Sequence, residues 1–276
     1  MLMCTWLSTW TQCSTYSSKE PVLALLSFAG FYAFERQHDL IAVIAFILAA
    51  LTRSNGVLLG GFFLHRALSV LLASRDEMSL SRRLVTIATS SLFGILPYGA
   101  FAAHQAWSAK VLCTQLQRPY CDHRGLSSYL LPKLDGFIQS TYWHVGPFRY
   151  WHTGEMGNWL LASGFLLLSL TSLHQYYTST WRTLPEKSGQ ERLVHCLVGP
   201  RSCYYHHWTL FVLYLMVMSH IQVITRVFMS LPAVWWALAD RYWDAKAAPT
   251  RSRWRQWAFW YGSVGLVLYA TFYPPA

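Results

Sequence analysis

Long apolar runs separated by short polar or basic segments make up most of the chain. The first two runs, Val22–Phe34 and Leu40–Leu51, flank the polar cluster Glu35–Asp39. Each run is shorter than the ~20 residues that a straight helix needs to cross a hydrocarbon core about 30 Å thick. The pattern therefore predicts either a membrane hairpin or two tilted helices whose ends lie in a protein cavity.

Two longer apolar stretches follow. Val57–Ala73 is interrupted by His65 and Arg66, whose side chains are expected to snorkel toward the membrane interface. Leu84–Ala103 predicts a membrane span. Pro97 lies inside that span and is expected to kink it, because proline cannot donate the backbone hydrogen bond of a regular helix.

The segments between the runs carry most of the positive charge. Ser74–Arg83 and Trp181–Arg201 are basic, and the excess of Lys and Arg on cytosolic loops predicts that both face the cytosol. Residues 104–157 are aromatic and mixed in charge, so they predict a loop on the opposite, lumenal side. Asn158–Leu173 is then the span that returns the chain.

The C-terminal part of the chain contains a conflict. The stretch 208–239 is apolar except for a polar centre, and the final span is expected at Trp257–Phe272. The five cations between them are Arg241, Lys246, Arg251, Arg253 and Arg255. Strict alternation of spans would place these cations on the non-cytosolic side, against the charge rule. Either the stretch 208–239 is re-entrant, or the charge rule fails here.

Composition narrows the class of protein. Of the 276 residues, 54% are hydrophobic and 12% are charged, about half the charged share of an average soluble domain. The apolar content excludes intrinsic disorder. A nucleic-acid-binding function is disfavoured because the cations behind the net charge of +10 are scattered between apolar blocks. The expected fold class is one all-α polytopic membrane domain over residues 1–276, with about six or seven membrane segments.

Common nucleotide-binding and hydrolase motifs are absent from the sequence, among them GxxxxGK[ST], GxGxxG, HExxH and GxSxG. The cysteines show no CxxC pair and no zinc-site spacing. No D-x-D pair is present to hold a divalent metal on a nucleotide sugar. We therefore predict no metal site and no cofactor, and a lipid-linked donor that already resides in the membrane would need neither.

The first polar cluster, Thr52–Gly56, lies where one apolar run ends and the next begins. Arg53 offers a guanidinium fork and Asn55 a neutral amide, groups that suit a phosphate or sugar hydroxyls. The alternative interpretation is a helix stop, with Gly56 as the C-cap and Arg53 as a snorkelling end residue.

The second cluster, Thr141–Trp151, is aromatic. Tyr142 and Trp143 precede His144, and Arg149 follows in the same segment. Aromatic faces of this kind stack on sugar rings or lie at the level of lipid headgroups. An interfacial amphipathic segment without a binding role is the alternative.

The third cluster is His220–Arg226. On a continuous helix Gln222 and Arg226 would share a face, and His220 would lie about 120° from Arg226. Ionisable side chains within an apolar stretch are costly unless they face a cavity or an anionic group. This cluster therefore favours a binding function over a purely structural one.

Taken in order, these clusters resemble the eukaryotic GPI mannosyltransferase 2 family, enzymes that add the second mannose to the glycosylphosphatidylinositol (GPI) precursor. The stretches that carry the resemblance are Ala24-Leu25-Leu26-Ser27-Phe28, Thr52-Arg53-Ser54-Asn55-Gly56, Tyr142-Trp143-His144-Val145-Gly146 with Tyr150-Trp151 and Asn158, His220-Ile221-Gln222-Val223-Ile224-Thr225-Arg226, and Phe272-Tyr273-Pro274-Pro275. One such stretch alone would be weak. Several of them in one order on a polytopic chain are fairly specific.

The resemblance implies a GT-C type glycosyltransferase that is a multi-pass protein of the endoplasmic reticulum membrane, with its active site on the lumenal side. It implies transfer of mannose from dolichyl-phosphate mannose to the GPI precursor glycolipid, in an α-1,6 linkage and with inversion. The expected partners are these two substrates and membrane lipid. A small accessory membrane subunit is left open, and no nucleic acid is expected.

We expect seven residues to contact the substrates. They are Arg53, Asn55, Tyr142, Trp143, His220, Gln222 and Arg226. The three residues of the third cluster would bind the donor phosphate. The pair from the first cluster would line the same cavity from the adjacent helix end, and the aromatic pair would position the acceptor glycan by stacking.

The catalytic residue is left unassigned. In the resembled family the expected base is an Asp in a Trp-Asp element, and that element would lie upstream of this chain. The resemblance covers nearly the whole chain but only about the C-terminal two-thirds of the family's sequence, so we expect an N-terminally truncated product. Two alternatives stay open: a catalytically incomplete fragment of the enzyme, and a polytopic transporter or scaffold, for which no inverted repeat is evident.

Overall fold

The computed structural model describes residues 19–72, 78–116, 140–141, 145–182, 188–199, 201–218, 223–228, 230–243 and 248–270. Every regular element in these ranges is helical, which confirms the all-α fold class for the described residues. The α-helices are α1 (Lys19–Glu35), α2 (Asp39–Thr52), α3 (Gly61–Leu72), α4 (Leu80–Leu116), α5 (Met156–Arg182), α6 (Gly189–Val198), α7 (Ser202–Val217), α8 (Ile224–Phe228), α9 (Pro232–Trp243) and α10 (Ala248–Ala270). Ser54–Gly60 and Thr153–Glu155 are 3₁₀ helices.

Contacts divide the chain into two compact units. The first unit comprises Leu26–Trp151 with Val217–Ser219. The second unit comprises Met1–Leu25, His152–Met216 and His220–Ala276. The single multi-spanning domain expected over 1–276, with its lumenal loop at 104–157, stays a prediction.

In the first unit, the two short apolar runs form a helical hairpin. The turn between α1 and α2 is closed by a hydrogen bond from the amide of His38 to the carbonyl oxygen of Ala33, at 2.8 Å. Across it Phe31 and Phe46 pack edge to face, with ring centroids 5.7 Å apart. Phe62 of α3 joins them, 4.7 Å from Phe31. Buried aromatic pairs of this geometry contribute beyond their area alone, so this cluster is the core of the unit.

The Arg66 side chain of α3 reaches the polar turn between α1 and α2, and its snorkelling toward the membrane interface stays a prediction. Its Nη1 lies 2.6 Å from Oδ1 of Asp39, and the side chain is 17% exposed. The guanidinium carbon also lies 4.0 Å from the centroid of the Phe34 ring. A largely buried cation is stabilised by a carboxylate and an aromatic face together.

The helix α4 runs from Leu80 to Leu116, through Pro97 and beyond the predicted end at Ala103. It packs closely on the 3₁₀ helix Ser54–Gly60, because a Cβ added at Gly60 would overlap the carbonyl oxygen of Gly94. The predicted loop Ser74–Arg83 also ends earlier than expected, since its last residues are already helical.

In the second unit, the predicted basic loop at 181–201 contains a helix that the hydrophobic pattern did not reveal. This helix, α6, begins with a capping box in which the Ser188 side chain accepts from the amide of Glu191 while the Glu191 carboxylate accepts from the amide of Ser188. A capping box satisfies two amides that a helix start leaves without partners. The Ser-x-x-Glu spacing was the available signal.

The apolar stretch 208–239 is broken into three helices, α7, α8 and α9. A rise of about 1.5 Å per residue makes the 16 residues of α7 about 24 Å long and the 12 residues of α9 about 18 Å long, both shorter than a hydrocarbon core. Phe228 of α8 packs on Trp208 of α7 with ring centroids 6.0 Å apart. The chain has thus turned back along α7 by the time it reaches α8.

The return continues in α9. The Trp236 ring lies 5.0 Å from the ring of Tyr204, at the start of α7. The Arg201 guanidinium, just before α7, lies 5.5 Å from the same Trp236 ring. These contacts favour the re-entrant alternative, because α9 leads back to the end of α7 from which the stretch began.

Two helical stretches in the described residues are long and apolar enough to cross a membrane, Ser54–Leu72 and Leu80–Ser108. A third candidate is the pair Thr153–Leu160 and Ala162–Arg182, which is bent by 65°. These helices are those of a membrane protein. The predicted number of six or seven membrane segments stays a prediction.

Gly60→Ala should lower thermal stability, because the new methyl group would meet the Gly94 carbonyl and the packed helices would have to separate. Overpacking of this kind costs roughly 1–3 kcal/mol, and each kcal/mol corresponds to roughly 2–4 °C in a protein of this size. Melting of the detergent-solubilised protein measures the effect. Gly61→Ala is the matched control, since a Cβ there meets open space. Equal melting temperatures for the two variants would contradict the close contact.

Candidate functional site

The first cluster forms a sharp junction between two helices. Helix α2 ends at Thr52, and Arg53 adopts an extended backbone with φ −150° and ψ 145°. Its amide donates to the carbonyl oxygen of Ala49 at 3.1 Å, and its own carbonyl accepts from the amide of Gly56 at 2.9 Å. The extended backbone of Arg53 separates α2 from the 3₁₀ helix that begins at Ser54. Residues 53–55 therefore lie at a break between two helices.

Gly56 does not cap α2, so the alternative that made it the C-cap was wrong. The residue in the C-cap position is Arg53. Gly56 is buried, and a Cβ there would overlap the backbone of Ala49. Glycine is needed at this position for the close approach of the junction to α2.

Asn55 places a polar atom without a partner inside the junction. Its Oδ1 is buried and accepts no hydrogen bond from the described residues. Burying an amide oxygen without a donor costs free energy, and such orphaned groups are rare in folded proteins. This atom is therefore a buried acceptor without a donor among the described residues.

The second cluster is tied to the chain just before the third. The amide of Gly146 donates to the carbonyl oxygen of Met218 at 3.0 Å, and the amide of Phe148 donates to that of Val217 at 2.7 Å. Two backbone hydrogen bonds thus join two segments of the chain that are about seventy residues apart. The sequence alone did not predict this pairing. Tyr150 of this segment is buried, whereas Trp151 is 53% exposed.

Four predicted site residues lie outside the described residues. They are Tyr142, Trp143, His220 and Gln222. Arg226 lies in the short helix α8, which begins at Ile224 and is held by the buried side chains of Ile224, Val227 and Phe228. The roles of all seven predicted residues stay predictions.

The carboxylate of Glu155, for which no role was predicted, lies just before α5. The Nδ2 of Asn158 donates to Oε2 of Glu155 at 2.5 Å. The Nε2 of His152 lies 3.8 Å from the other carboxylate oxygen. The signal was the Glu-x-x-Asn spacing, which places both side chains on one face of a helix start. Within the described residues, no group of three or more His, Cys, Asp or Glu side chains could hold a metal ion.

Comparison with known proteins gives a family match over nearly the whole chain. A family model described as mannosyltransferase (PIG-V) matches residues 2–276. No solved structure matches the chain.

Several curated proteins are similar. GPI mannosyltransferase 2 of Cryptococcus neoformans is 28% identical over 93% of this chain and 64% of its own length. GPI mannosyltransferase 2 of Saccharomyces cerevisiae is 28% identical over 93% of this chain and 56% of its own length. GPI alpha-1,6-mannosyltransferase 2 of Cricetulus griseus is 26% identical over 79% of this chain and 50% of its own length. The chain thus spans between half and two thirds of the length of these relatives.

Asn55→Ala should leave the melting temperature of the detergent-solubilised protein unchanged or slightly raised, because it removes a buried oxygen that has no partner. Asn158→Ala is the matched comparison. It removes the donor to a carboxylate and should cost roughly 1–3 kcal/mol. A destabilisation of Asn55→Ala as large as that of Asn158→Ala would show that Asn55 has a structural partner.

Proposed function

The chain belongs to the PIG-V mannosyltransferase family, and from that premise we propose that it transfers mannose to the precursor of the GPI anchor. The observation that carries the proposal is the family match across residues 2–276. Relatives from fungi and a mammal, named GPI mannosyltransferase 2 or GPI alpha-1,6-mannosyltransferase 2, support it. The helices long and apolar enough to cross a membrane suit an enzyme whose acceptor is a glycolipid.

We propose dolichyl-phosphate mannose as the donor and the endoplasmic reticulum lumen as the site of reaction, in a GT-C type architecture. Transfer from a β-linked donor to give an α-1,6 linkage requires inversion, hence a single in-line displacement. A carboxylate takes the proton of the acceptor 6-hydroxyl while cationic and hydrogen-bonding groups stabilise the departing dolichyl phosphate. No acidic residue of this chain is assigned the role of the base.

The donor phosphate is the proposed ligand of Arg226, with Gln222 and His220 as hydrogen-bonding neighbours. An arginine carries a permanent charge and a planar fork of donors that fits phosphate oxygens. Such groups can stabilise the leaving phosphate without a metal ion or other cofactor. The division of the stretch 208–239 among three helices supports this role, because discontinuous helices in membrane proteins commonly line binding cavities.

The acceptor and donor sugars are the proposed ligands of the other two clusters. Asn55 has a buried oxygen without a partner, which suits a sugar hydroxyl. Arg53, at the same helix break, adds a guanidinium. Tyr142 and Trp143 adjoin the segment held by Val217 and would stack on the acceptor glycan. Membrane lipid surrounds the chain, and a small accessory membrane subunit is left open as a partner.

Arg226→Ala should reduce mannose transfer at least about a hundredfold, the usual effect of removing one group that stabilises transition-state charge. The assay uses membranes from cells that lack their own second GPI mannosyltransferase and express this chain, with labelled dolichyl-phosphate mannose. Arg253→Ala, an exposed arginine of α10, should transfer normally. Absence of transfer by the unmodified chain would overturn the proposed function. Normal transfer by Arg226→Ala at equal protein level would overturn only the role of Arg226.

Trp143→Ala should raise the KM for the acceptor by about tenfold and leave the KM for the donor unchanged, since stacking on a base or ring contributes roughly 1–3 kcal/mol. The same membranes measure both constants when one substrate is varied at a time. Trp151→Ala is the control, because this neighbouring tryptophan is 53% exposed and is not among the seven residues proposed to contact the substrates. An unchanged acceptor KM, or an equal rise in both constants, would refute the stacking role.

A further inference from the structure

A cleft in the second unit lies apart from the clusters assigned above. It has a volume of about 440 Å³, within the ~300–1,000 Å³ typical of ligand sites. It opens between the C-terminal end of α5, helix α6 and the first turns of α7. Its lining residues are Tyr177, Thr178, Trp181, Arg182, Leu193, Cys196, Leu197 and His206.

The polar groups of the cleft wall are engaged within the protein. The hydroxyl of Tyr177 lies 2.8 Å from Nδ1 of His206 and 3.1 Å from Oγ1 of Thr209. The Nε2 of His206 lies 3.1 Å from the carbonyl oxygen of Leu197. The cleft therefore presents mainly ring and aliphatic surface to an occupant, which suits an apolar chain better than a polar solute.

The helix that covers the cleft is amphipathic and leaves apolar side chains exposed. Leu193 of α6 is 53% exposed, and Trp181 at the end of α5 is 41% exposed. No residue of α6 is buried. Leu193 and Leu197 lie on one face of this short helix and Arg192 on the other, and an amphipathic arrangement of this kind is typical of segments that lie in the membrane interface.

The mouth of the cleft is cationic. Arg182 lines it, and the guanidinium of Arg192 lies 5.8 Å from the centroid of the Trp181 ring. Glu191 is the nearby acid on α6, and its carboxylate is engaged at the helix start by the amide of Ser188. Among the described residues at this mouth, two arginines, Arg182 and Arg192, thus stand against one acid, Glu191. The rim therefore favours an anionic group directly above an apolar interior.

We propose that this cleft binds an anionic glycerophospholipid of the cytosolic leaflet, with an acyl chain in the apolar interior and the phosphate on Arg182 and Arg192. Basic pockets beside membrane helices at the cytosolic face bind anionic headgroups. The charge complementarity of the rim selects against zwitterionic lipids, and the apolar interior selects against free phosphate. This site is independent of the proposed mannose transfer.

Cys196 reports on occupancy because it lines the cleft. Burial raises the pKa of its thiol, so alkylation is measured at mildly alkaline pH with the uncharged reagent N-ethylmaleimide. The full chain is placed in nanodiscs of phosphatidylcholine alone or with increasing phosphatidylserine. Peptide mass spectrometry follows the modification of Cys196 over time.

Phosphatidylserine should slow alkylation of Cys196 in a saturable manner. Arg182→Ala and Arg192→Ala should each raise the half-protecting phosphatidylserine fraction about fivefold, the effect of about one basic residue at an anionic surface. Arg253→Ala is the matched control in the same unit, since it is exposed and does not line the cleft. Thr178→Phe fills the interior but keeps both arginines, and it should abolish protection.

Three results would overturn the site. The first is equal alkylation with and without phosphatidylserine. The second is protection that survives the double variant Arg182→Ala/Arg192→Ala, which would show a general effect of surface charge. The third is equal protection by soluble glycerol 3-phosphate in phosphatidylcholine nanodiscs, which would show a free-anion site. A gel-filtration profile unchanged from the parent chain confirms that each variant is folded.

Discussion

The close approach of glycine backbones fixes the position of the Arg53–Asn55 junction. Gly56 lies against the backbone of Ala49, and Gly60 lies against the carbonyl of Gly94. These two glycines are at the beginning and end of one 3₁₀ helix, whose residues rise about 2 Å each. The backbone of this helix is therefore fixed close to Ala49 and to Gly94, and it carries Asn55, whose Oδ1 is buried without a partner among the described residues.

The sequence predicted the helical cores well and their ends poorly, for a physical reason. Apolar runs indicate burial in lipid or protein, so they correctly predicted the central residues of helices α1, α2 and α4. A helix does not have to end where apolar residues end. Residues 104–116 continue α4 with alanine, glutamine, lysine and leucine, all good helix formers, although their polarity predicted a loop.

Pairings between distant residues were beyond the sequence. The orientation of Arg66 depends on Asp39, which is 27 positions away, and the hydrogen bonds from Gly146 and Phe148 depend on the last turn of α7. No local pattern encodes either contact. By contrast, the start of α6 is encoded locally by the capping box of Ser188 and Glu191. The basic charge of the segment predicted a loop there, and the capping signal predicts a helix.

Helix α9 returns to the N-terminal end of α7, which favours the re-entrant alternative for the stretch 208–239. Since Trp236 contacts Tyr204 and Arg201, and both Arg201 and Arg241 act on Tyr205, these two arginines lie at the N-terminal end of α7. Two basic segments at one end obey the charge rule together. The aromatic segment 145–151 is bonded to the opposite end, at Val217. These contacts lie within the unit Leu26–Trp151 with Val217–Ser219, so the packing of that unit holds the aromatic segment next to the last residue of α7.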